Sequence, residues 1–246
     1  MREIRFNGVS SSSLGIRIER SPEIIRPRRK FDVISVPGRN GDYIIFQDAW
    51  ENYIQPYDIF FGDGTDKSAE TTAFAVSDWL RSANGYATLV DTYETTTYRK
   101  AYYVEETDIY NGLTQYGRAT IHFNCRPERF YTTAGSAVTN GSTISNTTKY
   151  ASRPLITING TGTFSGTLTI TNGASTYTVT LTDVQASITL DCEEQNAYKG
   201  SNNYNDKVTI TAGGEFPRLK PGNNTISWNL TSQYSTVIVD PRWFTI

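Results

Sequence analysis

Little in this chain of 246 residues is suited to chemistry. It has one histidine, His122, and two cysteines, Cys125 and Cys192, with no CxxC pair. A structural zinc site wants four Cys or His ligands, so no metal site is expected. The two thiols lie far apart in the chain and nothing signals an oxidising compartment, so both are expected to be buried and free. The start, MREIRFNGVS, lacks the apolar core of a signal peptide. No run approaches the ~18–20 apolar residues of a membrane helix. The chain is accordingly read as made and folded in a cytosol. No glycine-rich turn joins a strand to a helix with phosphate-binding spacing, which argues against a nucleotide site. An excess of one charge is missing too: 23 Lys and Arg face 25 Asp and Glu, for a formal net charge of -2. That balance gives no global reason to seek nucleic acid or an anionic membrane.

What the chain does have is tyrosine, threonine and turn residues. Hydrophobic residues are only 37%, but aromatics reach 13%, and each aromatic buries a large area. With abundant Thr this favours strands over helices. SSLGIRIER (12–20) reads as a half-buried strand, with Leu14, Ile16 and Ile18 on one face. FDVISV (31–36) is apolar enough to be buried on both faces. DYIIFQDAWENYIQPYDIFFG (42–62) reads as one or two strands broken near Pro56, since proline cannot donate to a ladder. One segment breaks the pattern. DKSAETTAFAVSDWLRSANG (66–85) places Ala73, Val76, Leu80 and Ala83 at helical spacing, with Asp66 or Ser68 as cap and Asn84-Gly85 as stop. Strands follow at 86–93, 98–107 and 117–126.

The stretch after Arg126 contains Pro127 and loses all period, and the domain boundary is placed there: 1–134 and 135–246. Beyond it charge thins and Thr, Ser, Asn and Gly dominate. Seven short strands with clean alternation (154–160, 165–173, 175–181, 187–194, 207–213, 224–230 and 235–243) argue for an antiparallel β-sandwich. The fold class is therefore mainly β: an N-terminal β-sandwich or barrel-like domain with one α-helix and a β-hairpin, then a C-terminal β-sandwich.

Candidate chemistry is weak throughout. His122 in TIHFNC and Cys125 point to opposite faces of one strand, so they do not form a nucleophile–base pair. GDGTD (62–66) lacks the spaced oxygen ligands of a calcium loop. Glu105-Glu106 and Glu193-Glu194 are strand neighbours that face apart. The basic run IIRPRRK (24–30), with Arg26, Arg28, Arg29 and Lys30, is either a solvated loop or a charged contact with another subunit. It lacks the interleaved aromatics of a single-strand nucleic-acid binder. No catalytic residue, cofactor or metal ligand is assigned, and the chain is not read as an enzyme. Most distinctive is SVPGRNGDYIIF (35–46), where Gly38, Arg39, Asn40, Gly41 and Asp42 sit between apolar runs. Asn40-Gly41 is a strong hairpin signal, because both residues tolerate positive φ, and Pro37-Gly38 adds a second bend.

The order of motifs resembles a known family. VPGRNGD (36–42), GYATLVD (85–91) and FNCRPERFY (123–131) are similar to the N-terminal domain of siphophage distal tail (Dit) proteins. TINGTG (157–162), SITLDCEE (187–194) and GGEFPRLKPGNNTI (213–226) are similar to the family's C-terminal domain. The family's Asn-Pro-Gly-Thr after the boundary is blurred here to NGST (140–143). The resemblance implies a homohexameric ring, built through the N-terminal domain at the distal end of the tail tube of a virion, with an outward galectin-like C-terminal sandwich. It implies as partners the major tail tube protein, the tail-associated lysin or fibre hub, and tape-measure and receptor-binding proteins, with DNA passing through the lumen unbound. It also puts the loop Gly38–Asp42 in the ring-forming domain, where Arg39 and Asp42 would touch a neighbouring subunit. The competing reading is a sugar-binding sandwich module, argued from Trp50, Trp79, Trp228 and Trp243, of which only the last two lie in the sandwich.

Overall fold

In the computed structural model, which describes residues 3–62, 68–104, 110–113 and 116–246, antiparallel strands carry most of the regular structure. The chain divides into two compact units, Met1–Thr132 with Ile246, and Thr133–Thr245. The first holds β1 (Ile4–Phe6), β2 (Val9–Ser10), β3 (Arg17–Ile18), β4 (Arg29–Ile34), β5 (Tyr43–Trp50), β6 (Tyr53–Phe61), α1 (Ser68–Leu80), β7 (Ala87–Asp91), β8 (Thr97–Tyr103), β9 (Tyr110–Leu113) and β10 (Tyr116–Tyr131). Its sheet runs β2-β1-β7-β8-β10-β6-β3, and β4 and β5 pair with each other outside it. Strict alternation along β6 buries Tyr53, Gln55, Tyr57, Ile59 and Phe61. The same alternation along β10 buries Ile121, Phe123 and Cys125 and leaves His122 on the other face. Helix α1 covers this core with Val76, Trp79 and Leu80, and Trp79 Nε1 donates to the Phe6 carbonyl at 3.1 Å.

Several expectations change here. The break falls at Glu51-Asn52, not at Pro56, which sits inside β6 opposite His122. Strand β3 pairs with β6 only at Ile59 and Phe60, so at Pro56 that side of the strand is an open edge, where a missing N–H costs no ladder bond. Strand β10 runs through Pro127 to Tyr131, because its register against β8 shifts between Cys125 and Arg129 and the proline lies in that bulge. The helix stops at Leu80 rather than at Asn84-Gly85. Ser82 takes its end: its hydroxyl donates to the Trp79 carbonyl at 2.7 Å, while Asn7 Nδ2 donates to the Ser82 carbonyl. Residues 11–14 form a 3-10 turn instead of a strand, although Ile16 and Ile18 are buried as expected. Asp66, the Ser68 side chain, the GDGTD stretch past Gly62 and the Glu105-Glu106 pair lie outside the described groups.

The second unit holds β11 (Ser136–Val138), β12 (Ser142–Asn146), β13 (Leu155–Asn172), β14 (Ser175–Asp191), β15 (Asn196–Lys199), β16 (Asn202–Asn203), β17 (Val208–Ala212), β18 (Gly222–Leu230), β19 (Tyr234–Asp240) and β20 (Phe244–Thr245). Four expected short strands are fused into two long ones, β13 and β14. Their mutual register shifts twice, around residues 159–166 of β13 and 181–187 of β14. The first half of β13 pairs with β19 and the second half with β18. Both halves feed one core, which takes Ile156 and Ile158 from one and Leu168 and Ile170 from the other. The second shift needs glycine. A Cβ on Gly166, at φ +143°, would meet the Asn229 carbonyl oxygen at 2.0 Å.

Candidate assembly surface

The two-stranded ribbon β4–β5 has no layer of the described protein on either face. Cross-strand pairs Phe31–Phe46 and Val33–Ile44 form one face; Asp32–Ile45 and Ile34–Tyr43 form the other. On the first face Phe31 and Phe46 meet edge to face at 5.8 Å, with the Arg28 guanidinium over Phe31 at 4.6 Å and that of Arg29 over Phe46 at 5.1 Å. On the second, Gln47 Nε2 donates to Asp32 at 3.0 Å beside Ile34, Tyr43 and Ile45. Val33, Ile34, Tyr43, Ile44, Ile45 and Phe46 are 42–56% exposed. The expectation that FDVISV is buried on both faces is therefore overturned for the single chain. The alternation is that of a buried strand, but nothing described in this chain covers it. Two strands alone are marginal in water, and an apolar ribbon with open edges leaves backbone groups free for further strand pairing.

Its tip is the loop 35–42, in which Gly38, Arg39, Asn40, Gly41 and Asp42 are all exposed. The tight turn falls on Pro37-Gly38, with Gly38 at φ +80° and Arg39 N–H donating to the Val36 carbonyl at 3.2 Å. Proline presets the first central residue of such a turn, and glycine supplies the positive φ of the second. Asn40 is not at positive φ, so Asn40-Gly41 does not make the two-residue hairpin turn its sequence suggests. Ile34 and Tyr43 are the last pair, which leaves an eight-residue loop with no need of one. The two-residue form appears instead at Asn7 (φ +49°) and Gly8 (φ +81°), between paired Phe6 and Val9.

The root of the ribbon is tied to a buried polar network. Arg99 bridges Asp91 at 2.9 Å and Glu94 at 2.6 Å and donates from Nε to the Tyr53 hydroxyl; Tyr57 donates to Asp91 at 2.8 Å. Burial works against the Arg99 charge, but Tyr57, Tyr53, Asp91 and Glu94 hold its pKa above the usual arginine value. Arg129 joins Glu94 to the loop before β4, donating to the Ile25 carbonyl at 2.8 Å, and Gln55 Nε2 donates to the Glu23 carbonyl at 3.1 Å. Glu51 N–H closes the base on the Arg28 carbonyl. These donors fix the path of the chain into the ribbon. Sequence reading missed them, because nothing local marks Arg99 or Arg129 as buried.

The other candidates place no chemistry. Cys125 and Cys192 are buried and unpaired, and burial pushes the Cys125 thiol up to about 12. No cluster of three or more His, Cys, Asp or Glu among the described residues could hold a metal. The FPRLKPGNN motif is structural: Leu219 exchanges backbone hydrogen bonds with Ser152, and Asn224 Nδ2 donates to the carbonyls of Lys220 and Gly222. Trp228 is 9% exposed and Trp243 packs against the core of the second unit. Every strongly exposed large apolar side chain among the described residues lies between Val9 and Tyr131, in the first unit.

No family model and no curated relative matches the chain. Solved structures do. The SPP1 Dit (gp 19.1) protein, titled a paradigm of hub adsorption apparatus in Gram-positive infecting phages, superposes with a TM-score of 0.70 at 14% identity, over 100% of both chains. The chain has the Dit fold. Two structures of the phage P2 baseplate in its activated conformation, with Ca and with Sr, match it over 97% of both chains at 9% identity, with TM-scores of 0.60 and 0.59. Because the match spans the full length, the Dit fold takes in both units, and neither is an addition to it.

Proposed function

We propose that this protein is a structural hub of a phage tail: a homohexameric ring at the distal end of the tail tube, closed through the first unit. In this reading it links the tube to the tail-associated lysin or fibre hub and to the receptor-binding apparatus, and DNA crosses its lumen without specific binding. The protein is then a virion component, assembled in the host cytoplasm, with no catalytic role. The observation that carries the reading is the β4–β5 ribbon, apolar on both faces and uncovered in the single chain. A ring with cyclic symmetry needs a surface on each copy that fits a different surface on the next, and an open ribbon is suited to strand addition across that contact. The loop Gly38–Asp42 at its tip is the candidate contact, with Arg39 and Asp42 facing the neighbour. Electron microscopy of the purified protein tests this directly: closed rings are expected, and a protein that stays monomeric at every concentration and with its tail partners would refute it. The rival, a sugar-binding sandwich, lacks the exposed aromatic platform it requires, since Trp228 and Trp243 are both packed. Binding on a glycan array that is lost on changing Trp243 would favour it instead.

A further inference from the structure

We infer that Asn40 is a site of spontaneous deamidation, and that the assembly contact is what shields it. The chemistry is intrinsic to an Asn-Gly pair. The deprotonated backbone nitrogen of Gly41 attacks the Asn40 side-chain Cγ, and ammonia leaves as a five-membered succinimide closes. Water then opens the ring at either carbonyl, giving aspartate or isoaspartate. One amide and one water are consumed, and one carboxylate and one ammonia are formed. The step needs an unhindered attacking nitrogen, a free amide and access for water.

The chain contains several Asn-Gly pairs, and the fold sorts them. Asn7 is held by Ser82, its Nδ2 donating to both the carbonyl and the hydroxyl. Asn140 is clamped in both directions by Trp228, donating to its carbonyl and accepting from its N–H at 2.8 Å each. Asn172 donates to the carbonyls of Pro221 and Asn223. Asn159 sits inside β13, paired on both sides with Ser187 and Thr236. Asn40 has none of these restraints. Its side chain is exposed and makes no hydrogen bond, and even a Cβ added to Gly41 would meet nothing within 4 Å. Among the pairs whose side chains are described, Asn84 is the other that is exposed with a free amide, and it lies outside the ribbon.

Two consequences follow at the tip of the ribbon. The new carboxylate takes the formal net charge from -2 to -3 and sits beside Arg39 and Asp42. The isoaspartate product adds a methylene to the backbone in the loop that sets the approach of β4 to β5. If the tip is a subunit contact, which rests on the proposed ring, unassembled copies lose competence with age and assembled copies are protected.

The test is peptide mapping of the intact protein after incubation at mildly alkaline and at neutral pH, with monomeric and associated fractions separated first. In the monomer, the peptide containing Asn40 is expected to gain the mass of an amide-to-acid exchange, faster at the higher pH. Peptides containing Asn7, Asn140 and Asn172 are expected to stay unchanged, and Asn40→Gln removes the signal. No conversion at Asn40 in the monomer, or conversion at the clamped sites at an equal rate, overturns the site. Asn84 serves as the internal standard for the shielding. A fall in the Asn40-to-Asn84 ratio on association supports it, and an unchanged ratio with Asn40 still converting overturns the shielding while leaving the site intact.

Discussion

Substituting threonine for both Ile44 and Phe46 alters one face of the ribbon and little else. Ile44 is 48% exposed and Phe46 56% exposed in the single chain, so neither is part of a core. Threonine keeps the strand preference of both positions. Fully covering an Ile or Phe side chain is worth about 1.5–3 kcal/mol, so covering the exposed halves of this pair is worth about 2.5 kcal/mol per contact. At 1.4 kcal/mol per tenfold, association at each interface should weaken by between one and two orders of magnitude. A closed ring carries the change at every interface, so the loss should be cooperative. The monomer should hardly respond, since exposed substitutions usually stay within about 0.5 kcal/mol. Sedimentation velocity across a concentration series reads the first quantity and thermal unfolding of the dilute protein the second. Rings that persist at the wild-type concentration would refute the reasoning. So would a melting temperature that falls as it does for a core truncation, since the ribbon would then be packed within its own chain.

Three further outcomes follow. Arg39→Ala should weaken association by about 1 kcal/mol or less, as expected for an exposed charge, with the melting temperature unchanged; intact assembly at limiting concentration in sedimentation would exclude Arg39 from the contact. Arg242→Met should destabilise the second unit by about 3 kcal/mol in a denaturant titration, because it leaves Asp191 without the bidentate partner it has at 2.7 and 3.0 Å. Burial raises the Asp191 pKa, but the Arg242 hydrogen bond and charge, with the Glu194 and Glu193 backbone N–H groups, outweigh it and hold the carboxyl below 3.8, so this stabilisation is full above pH 3.8 and is lost as pH falls through the depressed value; the variant should show less of that acid-dependent loss. Gly166→Ala should cost about 3 kcal/mol or more by the same titration, because its Cβ would collide with the Asn229 carbonyl at a backbone angle few side chains adopt.

Alternation made much of the fold legible. Ile121, Phe123 and Cys125 on one face of β10, and Leu168 and Ile170 on one face of β13, are where period two puts them. Segment lengths were less legible. Gly160 and Gly166 look like turn residues between short strands, yet here they lie within one continuous strand, because β18 and β19 take up its two halves in turn. The same limit applies to Asn-Gly. Asn7-Gly8 closes a two-residue hairpin and Asn40-Gly41 does not, and the difference lies in how far the flanking strands pair. Nothing local marks Arg99 and Arg129 as buried, since their partners Asp91, Glu94 and the Ile25 carbonyl are brought together only by tertiary pairing. The ribbon marks the sharpest divide. Its residues say that both faces want cover, but an apolar pattern cannot say whether that cover comes from the same chain or from another one.

The charges around the ribbon bear on the subunit before it meets a partner. Tyr43-Ile44-Ile45-Phe46 beside Val33 and Ile34 is a short, flat segment of high strand preference, the kind that templates cross-β aggregation when an edge is free. Asp42 and Asp48 flank the first segment, and Arg28, Arg29 and Lys30 stand at the start of the second. Like the gatekeeper residues that bracket unavoidable hydrophobic strands elsewhere, they oppose indiscriminate stacking of ribbon on ribbon. The basic run thus stands beside the ribbon, where its charge disfavours contact between like copies of that element before a partner covers it.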